Sequence, residues 1–94
     1  MLIIEDIDSL NIGIEKIEEN LNYIINIHKS NSLTGQDQKD LKISIKEFIG
    51  SLNKLKTIAN NYNTYDNKDQ QKLMNVAYDL YNNVKYLKDI LDQI

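Results

Sequence analysis

Apolar residues recur along the chain at alternating steps of four and three. The first run is Ile3, Ile7, Leu10, Ile14, Ile17, Leu21 and Ile24, with His28 at the next step. Such spacing puts them on one stripe of a helix and leaves Asp8, Glu15, Glu19, Asn22 and Asn26 on the far side. The pattern predicts a helix over about 3–29. Gly13 lies inside it and costs on the order of 1 kcal/mol against alanine, so a close backbone approach or a slight bend is expected there.

Residues 30–36 are rich in turn formers and include Gly35, which predicts the first loop. Thr34, followed three residues on by Asp37, resembles a capping box with aspartate in the glutamate position. It opens a second helix over about 37–62, whose seam is Leu41, Ile45, Phe48, Leu52, Leu55, Ala59 and Tyr62. Asp66 or Asn67 can cap a third helix over about 67–93. Its seam is Leu73, Ala77, Leu80, Val84, Leu87, Leu91 and Ile94.

Each helix is about 40 Å long at 1.5 Å per residue, and short loops permit only antiparallel neighbours. The expected fold is all-α: one domain over 1–94, a three-helix antiparallel up-down-up bundle with heptad-like seams. Strict heptads also build oligomeric coiled coils. The flanking residues Ile4, Ile25, Ile27, Ile49, Ile58, Met74, Val76, Tyr81 and Ile90 widen each stripe toward the face that a self-contained bundle buries.

Composition narrows the chemistry. With no cysteine there is no disulfide, no thiolate nucleophile and no zinc site of the cysteine kind. Residues 1–10 carry Glu5, Asp6 and Asp8 where a signal peptide needs a basic start, and no apolar run reaches membrane-spanning length. A cytoplasmic protein without a membrane span is expected, with leaderless export as the other route. All eleven basic residues are lysine, and arginine, proline and tryptophan are missing. That bias, with abundant Ile, Asn and Tyr, fits an AT-rich bacterial or phage genome.

The net charge of −3 is uneven. Residues 1–29 hold six acids and two lysines, residues 37–63 three acids and five lysines, and residues 64–94 five acids and four lysines. An acidic first helix beside a basic second one predicts attraction inside the bundle.

Catalysis by proton transfer or nucleophilic attack needs matched groups held together. The single histidine, His28, has no such partner in the pattern, and its place on a seam near a helix end suits a partly buried residue near the helix C-terminus. No enzyme activity, cofactor or metal is expected. Glu15, Glu18 and Glu19 are read as a solvated face, and Asp66 and Asp69 as first-turn acids. Lys39, Lys42, Lys46 and Lys56 share one edge, the minimum for touching phosphates. Without arginine, and with a pI near 5.0, a nucleic-acid partner is the least favoured of the binding readings.

The third helix carries the candidate partner surface: Met74, Tyr78, Tyr81, Lys85 and Tyr86. Tyrosine and methionine give large, adaptable contact area. The expected role is therefore a protein-protein interaction module that binds and modulates another protein, as an inhibitor, immunity protein, neutraliser or adaptor does. The analogy to such small bundles rests on architecture alone. A homo-oligomeric structural, secretion or assembly component is the alternative, and a DNA-binding regulator the third.

Overall fold

In the computed structural model, which describes residues 2–30 and 33–93, the chain forms three long helices: α1 (Ile7–Lys29), α2 (Gly35–Ala59) and α3 (Asn67–Asp92). A single 3-10 turn, Tyr62–Thr64, precedes α3. The helices run up, down and up, and all three pairs pack together. The parallel pair α1–α3 shares the broadest interface and the antiparallel pair α2–α3 the narrowest.

Local chemistry sets each helix start. α1 begins at Ile7, four residues later than the periodicity predicts, because Asp6 and Ser9 form a reciprocal capping box. The Ser9 amide donates to Asp6 Oδ1 at 2.8 Å, and Ser9 Oγ accepts from the Asp6 amide at 3.0 Å. These bonds satisfy amides that a helix N-terminus leaves open. They also hold the Asp6 carboxyl below its ordinary pKa, the backbone hydrogen bond from Ser9 being the larger cause.

Residues 2–5 are consequently not helical. Ile3 is 60% exposed and drops out of the seam, whereas Ile4 turns inward against the core. Its Cδ1 lies 2.8 Å from where a Cβ on Gly13 would stand. The neighbour at Gly13 is thus a side chain of the N-terminal segment and not the close backbone approach expected there.

Thr34 occupies the N-cap position of α2, but its side chain makes no capping hydrogen bond. The expected Thr34–Asp37 capping box does not form. Gly35 takes φ +60, a conformation outside the right-handed helix that glycine adopts without a Cβ clash, and it separates Thr34 from the first regular turn. α3 does receive a side-chain cap: Asp66 Oδ1 accepts from the Asp69 amide at 2.8 Å.

α2 stops at Ala59, short of the expected 62. Asn and Thr side chains that bond to nearby backbone compete with helix propagation. Here Thr64 Oγ1 donates to the Asn61 carbonyl at 2.6 Å, and Gln70 Nε2 donates to the Tyr62 and Tyr65 carbonyls at 3.1 and 3.2 Å. At the opposite end of the bundle Gln38 Nε2 donates to the His28 carbonyl at 2.9 Å and ties the two sides of the first connection.

The core follows the predicted seams. Leu10, Ile14, Ile17, Leu21 and Ile24 of α1 meet Leu41, Leu52 and Leu55 of α2 and Leu73, Ala77, Leu80, Val84 and Leu91 of α3. Ile45, Phe48, Ala59, Tyr62 and Leu87 are half-buried against them. Ile94, the last predicted seam position, lies outside the described residues. At about 25 cal/mol per Å² of apolar surface removed from water, this shared seam is the main stabilising term of so small a domain. The Glu18–Lys56 ion pair joins the acidic α1 to the basic α2. Among the described residues no helix is long and apolar enough to cross a membrane.

Candidate interaction surface

The five candidate residues of α3 do not form one patch. Met74 is 5% exposed and belongs to the interior, which corrects its placement on an outer surface. It lies only about 60° from Ala77 on the helix, on the side turned toward α1. Tyr78 and Tyr81 are half-buried, and Tyr81 packs against the core. Lys85 pairs with Asp89 at 2.8 Å within α3, and that hydrogen bond raises the lysine's pKa. Tyr86 is 69% exposed and stands about 180° from Ala77, on the outward face. Tyr78, Tyr81 and Lys85 thus edge the α1 side of α3, while Tyr86 looks away from the bundle.

That α1 side is closed by polar ties. Tyr23 of α1 donates its hydroxyl to Asp92, Lys88 Nζ lies 3.0 Å from Asp92 Oδ2, and the same ammonium sits 4.8 Å from the Tyr23 ring centroid. The hydrogen bond from Tyr23, then that from Lys88, lowers the Asp92 pKa. Its counterpart raises the Tyr23 pKa. Lys16 and Glu19 form a looser exposed pair at 3.7 Å within α1, which does not reach α3.

The opposite side of α3 is open. Along the shallow groove between α2 and α3, three residues expected to widen the core remain uncovered: Ile58 (42%), Val76 (55%) and Ile90 (40%). Ile58 and Val76, with Tyr65, Leu73, Asp69 and Lys72, enclose a cleft of about 260 Å³ at the end where α2 finishes and α3 begins. A second cleft of about 240 Å³ lies at the other end, between Leu33, Leu41, Leu87, Ile90 and Leu91, with Asp37, Asp40 and Ser44 on its rim. Isolated exposed apolar residues are ordinary, but several along one groove mark a contact surface.

Helical geometry explains why these side chains stay uncovered. Ile58 stands about 120° from Leu52, and Val76 and Ile90 about 100° and 140° from Ala77, too far round for two neighbouring helices to reach. The same angular measure, applied to the sequence, is the signal that would have found them. The surface is also elongated: the radius of gyration is 14.5 Å, against about 12 Å for a compact domain of this length.

The lysine edge of α2 is exposed, and Lys56 is engaged with Glu18. Glu15 and Glu19 face solvent, and among the described residues no group of three or more His, Asp or Glu gathers as a metal site. The chain matches no protein-family model, no curated protein and no solved structure.

Proposed function

We propose that the chain is a non-enzymatic protein-protein interaction module, a small helical bundle that works by association through its α2–α3 face. The observation that carries this reading is the row Ile58, Val76 and Ile90, left uncovered beside two apolar clefts. A groove between two helices, apolar along its floor and charged at its rim, is the geometry that receives an amphipathic helix of a partner. In one form the partner is a different protein, which the bundle inhibits, neutralises or adapts. In the other it is a further copy, and the chain is a component of a homo-oligomeric assembly. Cytoplasmic action and a bacterial or phage source fit the composition. Tyr78, Tyr81, Lys85 and Tyr86 stay on sides of α3 that such an association leaves free.

Affinity capture with the immobilised chain tests the face. The double variant Ile58→Lys, Val76→Lys should lose the protein held by the wild type, while Ile12→Lys, at a position 48% exposed on α1, should keep it. Equal capture by a helical Ile58→Lys, Val76→Lys variant would remove the α2–α3 face from the reading.

A further inference from the structure

We infer that the α2–α3 face takes a basic amphipathic helix from a different protein, apolar on the edge that enters the groove and lined by lysine or arginine on both flanks. The inference rests on the proposed use of that face and names the chemistry of its partner. The banks of the groove carry the exposed acids Asp37, Asp40 and Glu47 on α2 and Asp69 and Asp79 on α3, against the exposed lysines Lys54 and Lys72. Asp40 lies directly in line with Ile58, about five helical turns away. Glu47 stands about 20° from Ile58 around α2, and Asp79 about 20° from Ile90 around α3. The carboxylates thus border the same strip as the uncovered apolar row.

These acids have no cation of their own. The ion pairs among the described residues, Glu18–Lys56, Glu19–Lys16, Asp89–Lys85 and Asp92–Lys88, all lie on other sides of the bundle. Asp40 accepts only from a neutral donor, Gln36 Nε2, at 2.8 Å. Asp37 and Asp69 fall in the first turns of α2 and α3, where a helix N-terminus favours an acid. Asp40, Glu47 and Asp79 stand beyond those turns. Unpaired carboxylates beside an apolar groove are complementary to a cationic occupant. They repel nucleic acid and anionic lipid, and a two-fold copy would bring the net-acidic face onto itself.

The charge also orients the occupant. At the Ile58–Val76 end Lys54 and Lys72 offset Asp69 and Asp79. At the other end Asp37 and Asp40 rim a cleft lined by no lysine, with Glu47 about two turns further along α2. The more basic half of the partner helix therefore lies over Leu87 and Ile90. Leu73 in one cleft and Leu87 in the other are about 21 Å apart along α3, the length of two heptads. Apolar anchors spaced by two heptads on the partner enter both clefts at once. A helix of about 18 residues is about 27 Å long and fits within the 46 Å length of the molecule.

Two synthetic helical peptides of about 18 residues test the assignment, both with the same leucine stripe, one flanked by lysine and the other by glutamate. In nuclear magnetic resonance titrations of the full chain at low salt, the lysine peptide should shift the signals of Ile58, Val76 and Ile90. It should bind about tenfold tighter than the glutamate peptide, and the advantage should shrink as salt rises. The neutralised variant Asp40→Asn, Glu47→Gln, Asp79→Asn should bring the two peptides close to parity. If that variant loses helicity, Glu47→Gln alone must narrow the gap. Ile58→Asn, Val76→Asn, which changes no charge, should release both peptides. Equal binding of the two peptides, lost in Ile58→Asn, Val76→Asn, overturns the basic partner and keeps the face. Lysine-peptide binding that Ile58→Asn, Val76→Asn leaves intact overturns the face as well. Binding of neither peptide at millimolar concentration overturns the basic helix, and the face is then judged by the capture experiment alone. A chain that associates with itself through Val76, seen by light scattering, overturns a different protein as the occupant.

Discussion

Tyr23 of α1 donates its hydroxyl to the carboxylate of Asp92 on the last turn of α3, and so links the parallel pair α1–α3. Both partners titrate, with opposite consequences. Asp92 has a folded pKa below its ordinary value, so its contribution is present above pH about 4 and is lost as pH falls through the lowered folded value. Tyr23 has a raised pKa. Its contribution is present below about pH 10 and is lost as pH rises through the folded value. Tyr23→Phe should therefore melt slightly below the wild type at neutral pH, and the gap should narrow in acid and in strong alkali. A constant gap across thermal melts from pH 2 to 11 would show that the ring's packing, and not the hydroxyl, carries the effect.

The centre of the seam should not accept charge. Leu52 and Leu80 are both buried, and among the described residues no polar or charged residue is buried. Leu52→Asp or Leu80→Asp places a carboxylate there without a partner, at a cost of several kcal/mol against a total of about 5 to 10. Far-ultraviolet dichroism should show lost helicity and no cooperative melt. Ile12→Lys, half-exposed on α1, should change stability by less than about 0.5 kcal/mol.

The two candidate caps should respond differently. Asp66→Ala removes the acceptor of the Asp69 amide and should cost about 1 kcal/mol in urea unfolding. Thr34→Ala removes a side chain that makes no capping hydrogen bond, and should cost only a few tenths of that. Equal losses would mean that Thr34 caps α2 in solution.

Gly13 and Ile4 should behave as a coupled pair. Gly13→Ala gains about 1 kcal/mol of helix propensity but pushes the Ile4 side chain from its seat, so its net effect on the wild type should be near zero. In an Ile4→Ala background only the gain remains, and Gly13→Ala should stabilise by about 1 kcal/mol. A double-mutant cycle by chemical unfolding reads the difference directly. Additivity would place Ile4 elsewhere in solution.

Met74→Ala should cost about 2 kcal/mol or more, because it empties a buried site. Tyr86→Ala, at the most exposed of the five candidate positions, should fall within about 0.5 kcal/mol of the wild type.

What the sequence disclosed was the part of the fold governed by period. The seams from Leu10 to Ile24, from Leu41 to Leu55 and from Leu73 to Leu91 are set by burial, and burial repeats with the helix. The helix ends are set by single side chains that break the period. Asp6 and Ser9 start α1 inside an apolar run, and the Asn60, Asn61 and Thr64 segment ends α2 before its seam does. The candidate surface was less legible for a related reason. Met74 and Val76 are both one step off the seam, on opposite sides. Which of them is covered depends on how far each neighbouring helix leans over, and α1 lies closer to α3 than α2 does.

The contact between Ile4 and Gly13 also bears on how this sequence can change over generations. A socket formed by a missing side chain ties the permitted volume at one position to the permitted volume at another nine residues away. Lineages that place alanine or serine at 13 should carry a shorter residue at 4, and lineages that keep glycine should keep a long one. The two sites would covary as a compensating pair even though one of them contributes no side chain at all.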